Sequence, residues 1–446
     1  MNYTTTFATS LLAAMAAVGS AQYSAIALQP ATDGQGNSVV ASQGLGASAT
    51  HQGGYTHDVS GLFRAAMWSG TKGSFVDLHP SGFISSTVQD VNGHSQVGNG
   101  ELVGGIRNAL VWFDTAASAV NLHPAGFDWS QAWGVGGGNQ VGFGQITGGD
   151  IHALLWSGTA SSMVDLHPAG YRTSYAYGTS ATQQVGEGAV FSRPSPLLWS
   201  GTAASVVNLQ PAGYLGGGAY TTDGSSQGGY VIAAGPVRQA ALWKGSAASF
   251  SNLHPAGLVN SHVWDVEGKW QTGYGRDSLG VQHAIVWKGT AASAVDLNQF
   301  LPTGYHEAYA FGVDNRGNVT GHAMNEATGE WNAFYWAKKP TVSGIQPANL
   351  NGGSFHSAFQ IRFKLLDDDG AYIDNEVVTT KLEKLGTPDT LIDPNVYSNQ
   401  GDTFTFNGAT HIYTFHFKVS GLSAGTYRLT LTFSNGATQV YTFTRA

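Results

Sequence analysis

Short apolar runs, rather than helical stripes, set the rhythm of this chain. "HALLW" (residues 152–156) is apolar after its first residue. "MVDL" (163–166) follows it across a turn of Gly, Ser and Thr, and "QAWGV" (131–135) and "QVGFGQI" (140–146) precede it, separated by glycines. Brief apolar runs bounded by turn formers predict strands. The pattern then recurs. A Trp closes the third run at positions 68, 112, 156, 199, 243, 287 and 336, at spacings of 44, 44, 43, 44, 44 and 49 residues. A Leu at 78, 122, 166, 209, 253 and 297 keeps the same step, and at the first five it opens a Pro-containing link: "LHPSGF", "LHPAGF", "LHPAGY", "LQPAGY" and "LHPAGL".

A period near 44 residues matches one four-stranded blade of a propeller. Within a unit most turns are tight. The Pro link is longer and lacks a backbone donor, so it is the place to cross to the next blade. "AWG", "AYG" (176–178) and "AFG" (310–312) become innermost strands, where small residues let backbones crowd, and the Trp run becomes a third strand buried on both faces. Seven Trp runs predict seven blades. The last unit has three strands only, while "AIALQP" (25–30) repeats the fourth-strand phrase "SVVNLQP" (205–211). An N-terminal strand is therefore expected to complete the last blade and leave no open edge. The expectation is an all-β chain: a seven-bladed β-propeller over 22–338, closed by the N-terminal strand, with an open β-solenoid of the same repeats as the alternative.

Beyond about residue 340 the repeat stops. "FQIRFKLLDDDGAYIDNEVVTTKLEKL" reads as two strands around an Asp-Gly turn. Three more strands follow, with turns at 420–425 and at Asn435-Gly436. This predicts a small immunoglobulin-like β-sandwich over 339–446.

Composition narrows the partners. The chain of 446 residues carries a net charge of −8 with 11% charged residues, and no cluster of Lys or Arg, which argues against nucleic acid. It has 0 Cys, so neither disulfides nor thiolate chemistry are available. The apolar run at 7–18 is too short to span a bilayer and is followed by Gly19 and Ala21. This reads as a signal peptide over 1–21, cleaved before Gln22. No later segment is apolar enough to insert in a membrane. The expectation is a secreted, extracellular monomer.

The unit "HALLWSGTASSMVDLHPAGYRTSYAYGTSATQQVGEG" (152–188) resembles the bacterial extracellular HAF repeat, which reads His-Ala-Phe-Leu-Trp, Asp-Leu-Gly, an Ala-rich strand and Val-Val-Gly. The resemblance covers about 22–337. The His of the Trp strand survives at His152 and His283 but is Arg64, Asn108, Ser195, Gln239 and Asn332 elsewhere, and the Gly after Asp-Leu is mostly His here. The resemblance implies a secreted repeat protein and transfers no catalytic residue. The tail resembles the PxKF-type domain of bacterial secreted proteins through "QIRFKLLDDDGAYI" and "GLSAGTYRLTLTFSNGATQVYTFT", with Gln360 in place of its Pro and Arg362 in place of its Lys.

Two repeated sets are candidate ligand-binding residues. His79, His123, His167 and His254, with Gln210 in the same slot, would ring one face. They would form either a multivalent sugar or metal surface or a set of pins that fix each crossover. Trp133, Tyr177, Trp264 and Phe311 would ring the axis, either stacking on sugars or packing blade on blade. The stretch 44–63, read as the longest loop, holds His51, Tyr55, His57 and Asp58 without a third partner at a fixed spacing. Asp367, Asp368, Asp369, Asp374 and Glu376 are rich in oxygen ligands for Ca²⁺ but lack the EF-hand spacing and read as a solvated hairpin tip. No catalytic motif stands in a workable context, so no catalytic residue, metal or cofactor is assigned. The functional expectation is a secreted non-enzymatic binding or adhesion protein for an extracellular glycan or protein. The alternatives are a secreted propeller hydrolase or lyase acting on polysaccharide or polypeptide, and a passive matrix component.

Overall fold

A computed structural model of the chain describes residues 22–235 and 237–445. The expected signal peptide, 1–21, lies outside them. Two compact units divide the described chain, residues 25–336 and residues 337–445 with 22–24.

Unit three shows how the repeated phrases build a blade. The innermost strand Phe127–Gly136 pairs antiparallel with Asn139–Ile146. That strand pairs with Ile151–Trp156, which pairs with the two-residue outermost strand Val164–Asp165. Gln140 opposite Trp156 accepts the N–H of Gly158 at 2.7 Å. The Ser162 hydroxyl accepts from Ser157 N–H at 2.8 Å and donates to Thr159 O at 2.6 Å. The recurring "Q-V-G" and "S-G-T-A-x-S" phrases are thus the two halves of one pinned turn.

Seven such four-stranded sheets form the ring: blades one to six over 39–77, 85–121, 127–165, 173–208, 217–252 and 260–296, and blade seven over 305–338. The seventh takes its outermost strand from the other end of the chain. Tyr23–Ala27 lies beside Trp331–Lys338, and Leu28 N–H donates to Ala333 O at 2.8 Å. The ring is closed, and the solenoid alternative is excluded. All seven repeat Trp side chains and the six repeat Leu side chains are fully buried. Their clusters straddle neighbouring blades: Val97, Ala109 and Val111 of blade two, with Leu122 at its end, pack with Leu154 and Trp156 of blade three. Each buried aliphatic side chain contributes roughly 1.5–3 kcal/mol, so the cores double as the glue between blades.

The links supply the polar part of each seam. Ser86, Ser130, Ser174 and Ser261, on innermost strands, accept the N–H of Ala65, Ala109, Ala153 and Ala240 on the preceding blade's third strand, at 2.9–3.1 Å. The same hydroxyls meet Nδ1 of His79, His123, His167 and His254 at 2.7–2.9 Å. Blade four's third strand has Pro196 at the equivalent place, which has no N–H to offer. There the Ser is replaced by Gly217 and the His by Gln210. At the next-to-last seam Asn298 accepts from Ala284 N–H directly, and at the closing seam Ser42 accepts from Ala333 N–H and donates to Gln29.

The C-terminal unit is a two-sheet sandwich. One sheet orders Thr341–Gln346, Phe359–Leu366, Ile412–Phe417 and Thr405–Asn407. The other orders Ser354–Phe355, Thr438–Arg445, Gly425–Thr432, Thr379–Lys384 and Thr390–Ile392. One expectation needs correction. The Asp-Gly turn does fold back as a short hairpin, with Tyr372 bridging Leu366 antiparallel and Ile373 N–H donating to Leu365 O. The long strands on either side, Phe359–Leu366 and Thr379–Lys384, do not pair: they belong to different sheets, and the stretch after the turn crosses the sandwich. The short Ser354–Phe355 strand is parallel to its neighbour. Among the described residues no helix is long and apolar enough to cross a membrane.

Candidate ligand-binding channel

Every innermost strand carries one extra residue. Pairing with the second strand skips Leu45, Gln89, Trp133, Tyr177, Tyr220, Trp264 and Phe311, one in each blade. A bulged residue is unpaired, and its side chain is re-aimed; all seven line one cavity at the axis. The bulge also dictates the glycine of "Q-V-G". At Gly54, Gly98, Gly142, Gly186, Gly229, Gly273 and Gly321 a Cβ would collide with the carbonyl oxygen at the start of the bulge. The sequence-predicted ring residues Trp133, Tyr177, Trp264 and Phe311 are therefore where they were expected. Tyr220, Gln89 and Leu45, the other three members, were not picked out because their unit-to-unit variation obscures the common slot.

The ring is aromatic in only five blades. Centroid distances run 5.5 Å from Trp133 to Tyr177, 4.4 Å on to Tyr220, 4.8 Å to Trp264 and 5.2 Å to Phe311. The arc is thickened by His262 and His322, both buried among rings and both pushed down to about 3 by burial, hence neutral. Glu187 sits behind it, accepting from Tyr177 and Tyr230 hydroxyls at 3.3 and 3.4 Å, and burial raises it to about 7. Each ring in the arc is supported by its neighbours, which favours packing over exposure.

Beside Gln89, one of the two non-aromatic members of the ring, a cavity of about 230 Å³ opens on the face that carries the links. Tyr55 and Trp133 wall it, and Gln89, Asn99 and Gln131 are among its lining residues. Asn99 is buried, and its Oδ1 has no partner within the protein. Gln131 accepts from Trp133 Nε1 at 3.2 Å, which orients the indole. Burial pushes the Tyr55 phenol up to about 12, so it stays a donor. The charged groups of the lining, Glu101 and Arg107, pair with each other at 3.6 Å near the strand ends. The site is rich in neutral donors and acceptors beside aromatic faces.

The other channel mouth is a smaller space of about 110 Å³ lined by Asp90 and Asp265. In blades one, three, four and seven the residue after the bulge is Gly46, Gly134, Gly178 or Gly312, and each meets the next blade's backbone so closely that a Cβ would not fit. Asp90 and Asp265 instead reach across. Asp90 accepts from Val135 N–H at 2.9 Å and from its neighbour Val91 at 2.7 Å. Asp265 accepts from Val313 and Val266 N–H at 2.8 Å each and from the Thr221 hydroxyl at 2.9 Å. Burial raises Asp90 to about 6 and Asp265 to about 7, the latter helped by the nearby charge of Asp90.

The remaining candidates separate. The link imidazoles are occupied: besides the Ser contact at Nδ1, Nε2 of His79, His167 and His254 faces Phe83, Tyr171 and Leu258 carbonyls at 3.0–3.2 Å, and His123 bonds the Phe127 backbone. A carbonyl cannot donate, so Nε2 carries the proton and Nδ1 accepts. Burial lowers all four pKa values. With both nitrogens used, these four residues pin seams and do not offer a ligand surface. The stretch 44–63 is no loop: it holds the end of Val39–Ala47, a short turn and the strand Gln52–Asp58. Tyr55 lines the cavity, His57 and Asp58 bond locally, and His51 lies at the opposite face. In the tail, Asp367 caps its own turn, Asp374 pairs with His411 and Glu376 accepts from Ser434, so the carboxylates do not converge.

No protein-family model matches the chain, and neither does any curated protein. Solved structures similar to it include TolB from Acinetobacter baumannii, 9% identical over 62% of this chain and 77% of that one, TM-score 0.39. The β-propeller domain of the Trilobed protease from Pyrococcus furiosus is 8% identical over 59% and 98%, TM-score 0.37. Puromycin hydrolase is 12% identical over 79% and 63%, TM-score 0.43. At such identities the likeness is one of fold alone.

Proposed function

We propose that the chain is an exported, non-enzymatic binding protein that holds a neutral saccharide unit of an extracellular glycan in the cavity beside Gln89 and Trp133. The observation that carries this reading is the lining: aromatic walls, the amide residues Gln89, Asn99 and Gln131, and charges that pair with each other. Sugars present apolar C–H faces to rings and hydroxyls to amides, so this composition suits them better than it suits an ionic ligand.

The competing reading is a hydrolase or lyase that draws on Asp90 and Asp265. Their raised pKa values favour it. Against it, the oxygens of both already accept backbone N–H bonds that staple blade two to three and blade six to seven.

A glycan array followed by titration of the best hit tests the choice. Trp133→Ala is expected to weaken binding about tenfold or more, while Asp90→Asn leaves it intact and no product accumulates. No binding across a broad panel, or turnover that Asp90→Asn abolishes, contradicts the proposal. Export rests on the sequence at 7–21. It predicts a protein in the culture medium whose first residue is Gln22.

A further inference from the structure

On the face opposite the links, blades one and two carry three residues that break the repeat. His51 lies in the turn before Gln52–Asp58, and His94 in the turn before Ser95–Glu101. No other hairpin tip between an innermost and a second strand has a His. Asp114 follows the third strand of blade two, at a position that is Gly70, Gly158, Gly201, Gly245 and Gly289 in other blades. Those glycines have φ of 73–83°, and Asp114 holds φ at 63°. Its N–H still makes the bond of the repeated turn, to Gln96 at 2.8 Å, as the glycines do. The carboxylate is an addition to that turn, in a backbone region that favours glycine.

The added group points at the two imidazoles. Asp114 Oδ2 lies 2.5 Å from His94 Nδ1, and Gln96 Nε2 donates to Asp114 Oδ1 at 3.0 Å. The rings of His51 and His94 are 5.6 Å apart. One ligand atom from each of His51, His94 and Asp114 lies within 4.8 Å of the other two.

We propose that His51, His94 and Asp114 bind a divalent transition-metal ion of the zinc class, clipping blade one to blade two. Imidazole nitrogen and carboxylate oxygen at bond lengths of roughly 2.0–2.2 Å in a tetrahedral site put ligand atoms roughly 3.3 Å apart. The side chain of His94 is 79% exposed, so a rotamer adjustment closes the remaining gap. Gln96 acts as the outer partner that orients the carboxylate. Water completes the coordination. Two imidazoles out of three ligands disfavour Ca²⁺ and Mg²⁺, which take oxygen.

Calorimetric titration with Zn²⁺ in a non-chelating buffer tests this on the purified protein. One equivalent is expected to bind, with Asp114→Gly and His94→Ala each weakening it about tenfold or more, and His57→Ala leaving it unchanged. Asp114→Gly restores the residue of five other turns, so its thermal midpoint without metal is expected to match or exceed that of the parent, which separates lost binding from lost folding. Zn²⁺ uptake that is absent in the parent, or equal in parent and Asp114→Gly, overturns the proposal.

Discussion

Asp90 and Asp265 are single residues whose ionisation is coupled to contacts between neighbouring blades. Their folded pKa values, about 6 and about 7, lie above the ordinary carboxylate value of 3.8. Between about pH 4 and 7 the unfolded chain has therefore released protons that the folded chain still holds, and stability from these groups falls as pH rises. The link imidazoles act in the opposite sense, since their lowered pKa values make stability fall as pH drops below about 6.5. Comparing the parent with Asp90→Asn/Asp265→Asn cancels the imidazole contribution. The urea midpoint of the parent is expected to drop relative to the variant between pH 4.5 and 7.5, by on the order of 1–3 kcal/mol in stability; parallel profiles contradict the assignment. Aligning the units shows Asp where four other blades have Gly, but burial at a ring axis has no trace in a linear pattern.

At the scale of the element, the seam hydrogen bond is the repeated device, and blade four is its natural control. Ser130 receives the buried Ala109 N–H, whereas Pro196 has none and its seam with blade five dispenses with both Ser and His. Ser130→Ala strands that donor and is expected to cost about 1–2 kcal/mol, read as a lowered urea midpoint with unchanged slope; an unchanged midpoint refutes the relay. Much of this was legible: the strands, their order and the Pro crossover all follow from the Trp and Leu steps. The role of the imidazoles stayed open because sequence does not show that Ser lies seven residues on in space as well as in number. The stretch 44–63 reads as a loop in sequence because its strands carry four glycines, Gly44, Gly46, Gly53 and Gly54, set by the bulge and the crowded axis rather than by strand propensity. In the sandwich the Asp-Gly turn is legible as a hairpin tip, but two alternating runs look the same whether the second long strand pairs with the first or leaves for the other sheet.

For the whole molecule, closure by residues 23–27 was readable because two incomplete ends add up to one blade. The cavity was not, because it exists only where blades one, two and three are brought side by side and two of them lack the aromatic that the others share. That absence is the centre of the functional account: Leu45 and Gln89 leave a gap in an otherwise continuous arc, and Trp133 borders it. Gln89→Tyr places in blade two the residue that blades four and five already hold at the bulge, so the fold should tolerate it. Titration of this variant with the glycan bound by the parent tests the claim most directly. The account predicts an unchanged thermal transition and binding weakened about tenfold or more, whereas full affinity with the aromatic in place would contradict it.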